Sequence, residues 1–306
     1  MYDEIRGWAQ SQGEVGIQRM CELAQVSRAS FYRGWEQRAP CEAEAALRDV
    51  VQRTALQHRG YGYRRIAALL ERDGLGAGQE KVRRILKADN LLAIRRRKFI
   101  PTTDSDHPFR VYPNLAESLA LSDIDQLWVA DITYIRLQQE FVFLAVVLDA
   151  YSRKVIGWHL GRKLDTGLPM AALEAAIASR HPRPGLVHHS DRGCQYASHE
   201  YVKRLEGCGA HLSMSRPARP WENGKCESFI KTLKQEEIDA RRYGSFAELQ
   251  QHVKEFLDQI YNHVRLHWAR GYHSPMEFEE SVRKPGAKWS PATMSFLRHE
   301  EIYPDV

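Results

Sequence analysis

"QLWVADITYIRLQQEFVFLAVVLDAYSRKVIGWHL", residues 126–160, contains three runs rich in β-branched and aromatic side chains, separated by two short polar gaps. The gaps, "QQE" and "SR", have room only for tight turns, so the stretch predicts an antiparallel meander. The first run is apolar on both sides of Asp131: Leu127, Trp128 and Val129 precede it, and Ile132, Tyr134 and Ile135 follow. A strand apolar on both faces belongs in the middle of a covered sheet. A carboxylate there is costly to bury without a partner. Asp131 is therefore either satisfied by backbone donors or aimed at a ligand.

Working outward, 165–180 reads as a helix, 185–191 as a short strand, 198–207 as a helix capped by Ser198, and 210–216 as a strand. A Pro-rich loop, a helix within 219–234 and a long helix over 245–262 follow. The order β-β-β-α-β-α-β-α-α predicts an α/β fold, a mixed sheet with flanking helices. Asp191 closes the strand "LVHHSD", at the end of a strand where ligands bind in open sheets; its bland alternative is a turn residue. In "RPWENGKCESFIKTLK" (219–234), Cys226, Phe229, Ile230 and Leu233 form an apolar stripe, with Asn223 and Gly224 as a start signal. Glu227, Lys231 and Lys234 line up beside that stripe. The loop 217–224, rich in Pro and Gly, reads as adjustable. Three carboxylates on two strands and one helix can converge on hard cations. Asp149 reads as a hairpin residue. His263 and His267, spaced i, i+4, lack a third ligand. His188 and His189 alternate across their strand.

Upstream the texture is helical. Residues 14–36 read as two short helices around a tight turn, a helix-turn-helix pattern. Residues 43–94 predict three more helices, the last, "GQEKVRRILKADN", with Lys81, Arg84 and Lys87 facing out. The chain carries a net +5, yet residues 43–100 alone carry fourteen Lys and Arg against six Asp and Glu. That +8 segment, which includes Arg64 and Arg65 and ends in Arg95, Arg96, Arg97 and Lys98, points to a polyanion, with nucleic acid first. No apolar run reaches membrane-span length, and no signal-peptide pattern opens the chain, so no membrane role and a cytoplasmic, nucleoid-associated place are expected. Five scattered cysteines without C-x-x-C favour reduced thiols. The expected organisation is an N-terminal helix-turn-helix segment (1–40), a basic trihelical domain (41–98), a linker (99–124), a core (125–280) and a tail (281–306).

Asp191 and Glu227 are separated by 35 residues, and Lys234 follows Glu227 by seven. This spacing resembles the D,D(35)E signature of DDE transposases and retroviral integrases. The words "WVADITYI", "LDAYSRKVIGW", "HHSDRGCQY", "ENGKCESFIKTLKQE" and "YNHVRLHWARGYHSPMEF" resemble the second-frame subunit of IS-three family insertion sequences. So does the "YGYRRIAALL…VRRILKADNL" unit, and the likeness spans roughly residues 45–280. Glu222-Asn223 stands where that family often has Asp-Asn, and the zinc-binding His/Cys spacing of retroviral integrases is missing.

The resemblance implies an RNase H-like core behind helix-turn-helix DNA-binding units. It implies Asp131, Asp191 and Glu227 as catalytic residues holding two Mg²⁺ ions, with Mn²⁺ as a substitute. It implies DNA contact through Lys234, to which the helix phase adds Lys231. The implied activity is cleavage at insertion-sequence ends and strand transfer by a 3′-hydroxyl. The expected partners are double-stranded DNA (terminal inverted repeats and target), further copies of the chain, and an upstream-frame helix-turn-helix partner or frameshift fusion. Two rivals are a non-catalytic DNA-binding regulator, against which the intact triad argues, and a nuclease acting on hybrids, against which the two DNA-binding units argue.

Overall fold

The computed structural model describes residues 17–25, 27, 42–58, 60–93, 109–217 and 219–284. A helix, α1 (Ile17–Leu23), stands where the first helix of the N-terminal pattern was expected. The partner helix of that pattern, and the run Arg95, Arg96, Arg97, lie outside the described residues.

Three helices, α2 (Glu42–Gln57), α3 (Tyr63–Arg72) and α4 (Gln79–Ala88), enclose a core of their own. Val51, Ile66, Leu70, Val82 and Leu86 fill it, each no more than 1% exposed. Gly74, at φ +76, takes the left-handed turn that ends α3. The outer face of α4 presents Arg84 and Lys87, with Lys81 half-exposed beside them.

The second body is a five-stranded mixed sheet. Strands β1 (Leu127–Arg136), β2 (Phe141–Asp149) and β3 (Val155–Gly161) form the meander the sequence predicts. The chain then crosses through α5 (Gly167–Arg180) to β4 (Val187–Ser190), which runs parallel to β1 on its other side. Two short helices, α6 (Cys194–Ala197) and α7 (His199–Gly207), lead to β5 (His211–Met214), parallel to β4. The spatial order is β3-β2-β1-β4-β5. Alternation along the strands divides the core in two. Trp128, Ala130, Ala145 and Val147 face α5 and α7. Leu127, Val129, Ile135, Val146 and Leu148 face the opposite layer. In β3, Gly157 lets α5 come close: a Cβ there would lie 2.2 Å from the Ala172 carbonyl oxygen.

The opposite layer is built by α8 (Gly224–Glu236) and α9 (Phe246–Glu255), the latter capped by Ser245. The long helix expected over 245–262 widens into a π-helical stretch, Phe256–Val264. That widening lets the Asn262 amide accept from Val155 N and donate to Val155 O, both at 2.9 Å, continuing the edge of β3. The helix ends at Val264, so His263 and His267 do not share one helix. Residues 109–121, within the stretch read as a linker, wall one side of the sheet. Met214 N donates to Pro113 O, Leu115 N to Ser213 Oγ, and Leu119 and Leu121 pack on the core.

The last helix among the described residues, α10 (Pro275–Arg283), begins in a capping box between Ser274 and Glu277. It carries Glu279, 1% exposed, into the base of the sheet. Glu279 accepts from both terminal guanidinium nitrogens of Arg180 and, at 2.7 Å, from Ser152 Oγ. Lys154 stands 3.5 Å from it. Burial would raise the Glu279 carboxyl, but Arg180 and Lys154 hold it below the usual range.

Candidate active site

Strand register sets the first two carboxylates. Val129 pairs with His189 in the parallel β1–β4 ladder. Asp131 lies two residues beyond Val129, and Asp191 two beyond His189. Period-two alternation therefore brings both aspartates level, on the face that α8 covers. Asp131 Oδ1 accepts from Ile132 N at 2.8 Å, and Asp191 Oδ1 accepts from Gly193 N at 2.9 Å. Burial, then the charge of Asp191, then that of Glu227 push the Asp131 carboxyl well above the usual range. The Ile132 amide and Lys234 act against that rise without cancelling it. Partial burial alone raises Glu227.

The third carboxylate depends on how α8 is laid down. Cys226, Phe229 and Leu233 are buried on the sheet, as the stripe predicts, with Ile230 half-buried at its edge. Phe229 meets Tyr261 edge-to-face at 4.8 Å between centroids. Two features differ from the sequence reading. Asn223 holds the N-cap position, as the start signal predicts, but its side chain makes no capping bond. Its side-chain amide crosses to the sheet and donates to Ala130 O at 2.9 Å, next to Asp131. The preceding loop is also anchored rather than loose: Glu222 accepts from Arg216 N at 2.7 Å and from Asn114 Nδ2 at 2.9 Å. The start of α8 is thus fixed to β1 and to the edge segment.

Lys234 bends toward the site, with its ammonium 4.7 Å from the Tyr134 ring centroid. Burial lowers its pKa, opposed by Asp239 and Asp131. Lys231 is exposed one turn earlier. Among the described residues, no three His, Cys, Asp or Glu side chains already stand as a metal cluster. The fold brings Asp131 and Asp191 together and leaves Glu227 at the rim.

Other residues sort out as follows. Asp149 is a turn residue, accepting from Asp125 N, Tyr151 N and Ser152 N at 2.6–3.0 Å. His188 hydrogen-bonds the Tyr201 hydroxyl at 3.1 Å, and burial lowers its pKa to about 3. His189 lies on the site's face between Ser213 Oγ and Ser215 Oγ, at 2.8 and 3.0 Å, with its pKa lowered by burial to about 4. Sequence reasoning missed Tyr196. It is buried, its hydroxyl has no hydrogen-bond partner among the described residues, and it lies within the field of Asp131 and Asp191. Its place five residues after Asp191, in "DRGCQY", was the available signal.

The expected DNA-contact residues divide. Arg64 is exposed and lies 5.5 Å from the Tyr63 ring, and Lys81, Arg84 and Lys87 line the open face of α4. Arg65 departs from expectation: it turns inward, 5.4 Å from the Tyr61 ring centroid and 3.8 Å from Glu236.

A five-stranded mixed sheet of this order with flanking helices is the architecture of an integrase-type core. The family comparison agrees, matching "Integrase core domain" over residues 123–220 and 208–275, and "HTH-like domain" over 42–99. The insertion element IS600 31 kDa protein of Shigella sonnei is 33% identical, covering 88% of this chain and 100% of its own length. Transposase InsF for insertion sequence IS3A of Escherichia coli K12 is 31% identical, covering 88% and 95% respectively. The transposase for IS904 of Lactococcus lactis is 32% identical, covering 73% and 89%. Among solved structures, a simian T-cell lymphotropic virus intasome chain matches at 18% identity and TM-score 0.45, covering 78% of each chain. The chain belongs to the IS3-family insertion-sequence transposases. No helix among the described residues is long and apolar enough to cross a membrane.

Proposed function

We propose that this transposase cuts DNA at the ends of its insertion sequence and joins the freed 3′-hydroxyl to a target phosphodiester, using divalent metal held by Asp131, Asp191 and Glu227. The observation that carries the reading is the level pair Asp131 and Asp191: burial first, and then repulsion from Asp191, holds the Asp131 carboxyl high. A cation between them would relieve that repulsion. The donors are hard oxygens, which suit Mg²⁺, with Mn²⁺ as a substitute. When bound, the metal would lower the pKa of the attacking hydroxyl and stabilise charge on the leaving oxygen.

The chain's own groups do the rest. Asn223 and the anchored loop hold the start of α8 against β1, so that Glu227 can turn toward the aspartates. Lys234 offers a point charge to a phosphate. The open face of α4 supplies Lys81, Arg84 and Lys87 to the duplex, with Arg64 beside it. In cleavage, water oxygen bonds to phosphorus and the 3′-oxygen leaves with a proton. In strand transfer, that 3′-oxygen attacks a target phosphorus and the target's own 3′-oxygen leaves. Action on both ends of one element calls for more than one copy of the chain, with or without an upstream-frame partner.

The test uses Asp131→Asn, Asp191→Asn and Glu227→Gln in full-length protein. Each is expected to keep duplex binding in gel shifts and lose Mg²⁺-dependent nicking and joining. A Glu227→Gln protein joining strands at the wild-type rate would sink the assignment.

A further inference from the structure

Three parts of the chain meet at the carboxylate of Glu236, the last residue of α8. Arg265, 3% exposed, donates to it twice: Nε to Oε2 at 2.7 Å and Nη2 to Oε1 at 2.8 Å. Arg265 Nη2 also reaches Thr232 Oγ1 at 3.3 Å, one turn back along the helix. From the trihelical unit, Arg65 Nη1 stands 3.8 Å from the same Oε1. Gly60 passes so close that a Cβ there would fall 2.4 Å from Glu236 Cγ. Two further contacts close the seam. Leu266 N donates to the Tyr61 hydroxyl at 3.2 Å, and Arg72 pairs with Glu277 at 2.6 Å. The trihelical unit therefore grips the far end of the glutamate helix through α3 and residues 60–61, while the basic face of α4 stays exposed.

Glu236 lies nine residues beyond Glu227, about 13 Å along one hydrogen-bonded rod. Between them the rod rests on apolar contacts from Phe229 and Leu233, which tolerate small sliding of packed elements. Asn223 fixes one end and the Arg265–Glu236–Arg65 cluster holds the other.

We propose that the trihelical unit is a positioning device for the catalytic helix: Arg65, acting through Glu236, sets the pose of Glu227 and Lys234, so that the grip of α4 on DNA is felt at the active site. The inference rests on the function proposed above. It gives Arg65 a role opposite to the one its place in a basic segment suggests, since it is a tether within the protein rather than a contact to phosphate.

The experiment compares wild type, Arg65→Ala, Arg65→Lys and the double variant Arg65→Ala/Arg72→Ala, all full-length. Three quantities are measured: hydrogen exchange of the amides of Phe229–Glu236 without DNA or metal, affinity for a duplex carrying the element's terminal repeat, and cleavage at saturating duplex. Arg65→Ala is expected to bind the duplex like wild type, to exchange the α8 amides faster, and to cleave on the order of tenfold more slowly. The double variant should lose more, and Arg65→Lys should recover most of the rate. Unchanged exchange in α8, or wild-type cleavage at saturating duplex, overturns the proposal. A loss confined to duplex affinity also overturns it, because Arg65 would then be a DNA contact. If wild type cleaves no duplex, the proposed function fails by itself. The exchange measurement, which needs neither DNA nor chemistry, still decides whether the clamp exists.

Discussion

Asp131 sits where a purely structural residue would be a poor choice: half-buried on a central strand, with a second aspartate level with it. Removing its charge should therefore help the metal-free fold while ending activity. Asp131→Asn is expected to raise the metal-free stability by on the order of 1 kcal/mol, and with it the melting temperature. The same variant should lose the stabilisation that Mg²⁺ gives wild type, both read by thermal melts with and without the ion. Equal melting of the two metal-free proteins would show that Asp131 carries no repulsion. Lys234 makes a complementary case. Lys234→Ala gives up a cation–π contact worth about 0.5–1 kcal/mol. Its joining of a pre-cut end should fall much further than that small loss of stability implies, and unchanged joining would return Lys234 to an ordinary helix lysine. The placing of Asp131 on a central strand, Asp191 at a strand end and Glu227 beside the apolar stripe of its helix was legible from local pattern. The roles of Asn223 and Arg65 were not. Asn223 finds its acceptor 93 residues away, and Arg65 turns toward a helix far along the chain. Contacts of that kind leave no periodic mark in a sequence.

The strands and helices of the core followed from local pattern, because period-two runs and an apolar stripe record which face is buried. What local pattern did not record is how ends are fastened. The π-helical widening at Phe256–Val264 serves one side chain, Asn262, whose amide must reach the edge of β3. Likewise the stretch 217–224 looked adjustable by composition, yet Glu222 and Asn223 bind it down. This makes the start of α8 testable as a unit. Asn223→Ala leaves the Ala130 carbonyl without its side-chain donor, and a lost buried hydrogen bond costs about 1–3 kcal/mol. Melting should show that loss, and cleavage should fall beyond it, because the helix start would no longer be registered against Asp131. Cleavage that falls only in step with stability would make Asn223 a fastening without influence on the site.

At the scale of the whole molecule, His188 and His267 are carried as largely buried, neutral groups. Burial holds His188 at about 3 and His267 at about 2, against about 6.5 when unfolded. Their contribution to stability is thus complete above about pH 6.5 and is lost as the pH falls from there toward the folded values, by up to about 1.4 kcal/mol per pH unit for each. Comparing His188→Gln with wild type cancels the other titrating groups. Urea midpoints at neutral pH and near pH 5 should converge for the two proteins as the pH drops, and parallel lines would refute the assignment. At this scale the sequence revealed the bodies and their order but not their embrace, since the seam through Glu236, Tyr61 and Arg72 joins residues some two hundred positions apart. The buried cluster under the sheet has a further consequence, one of synthesis. Arg180 and Glu279 are 99 residues apart, so a ribosome has finished every strand of the sheet long before it adds the acid that neutralises the sheet's base. A chain broken off by a premature stop ahead of α10 would keep Arg180 and Lys154 beneath the sheet without that counter-charge. Such a fragment should be poorly folded and open to proteases, which ties survival of the polypeptide to translation of α10.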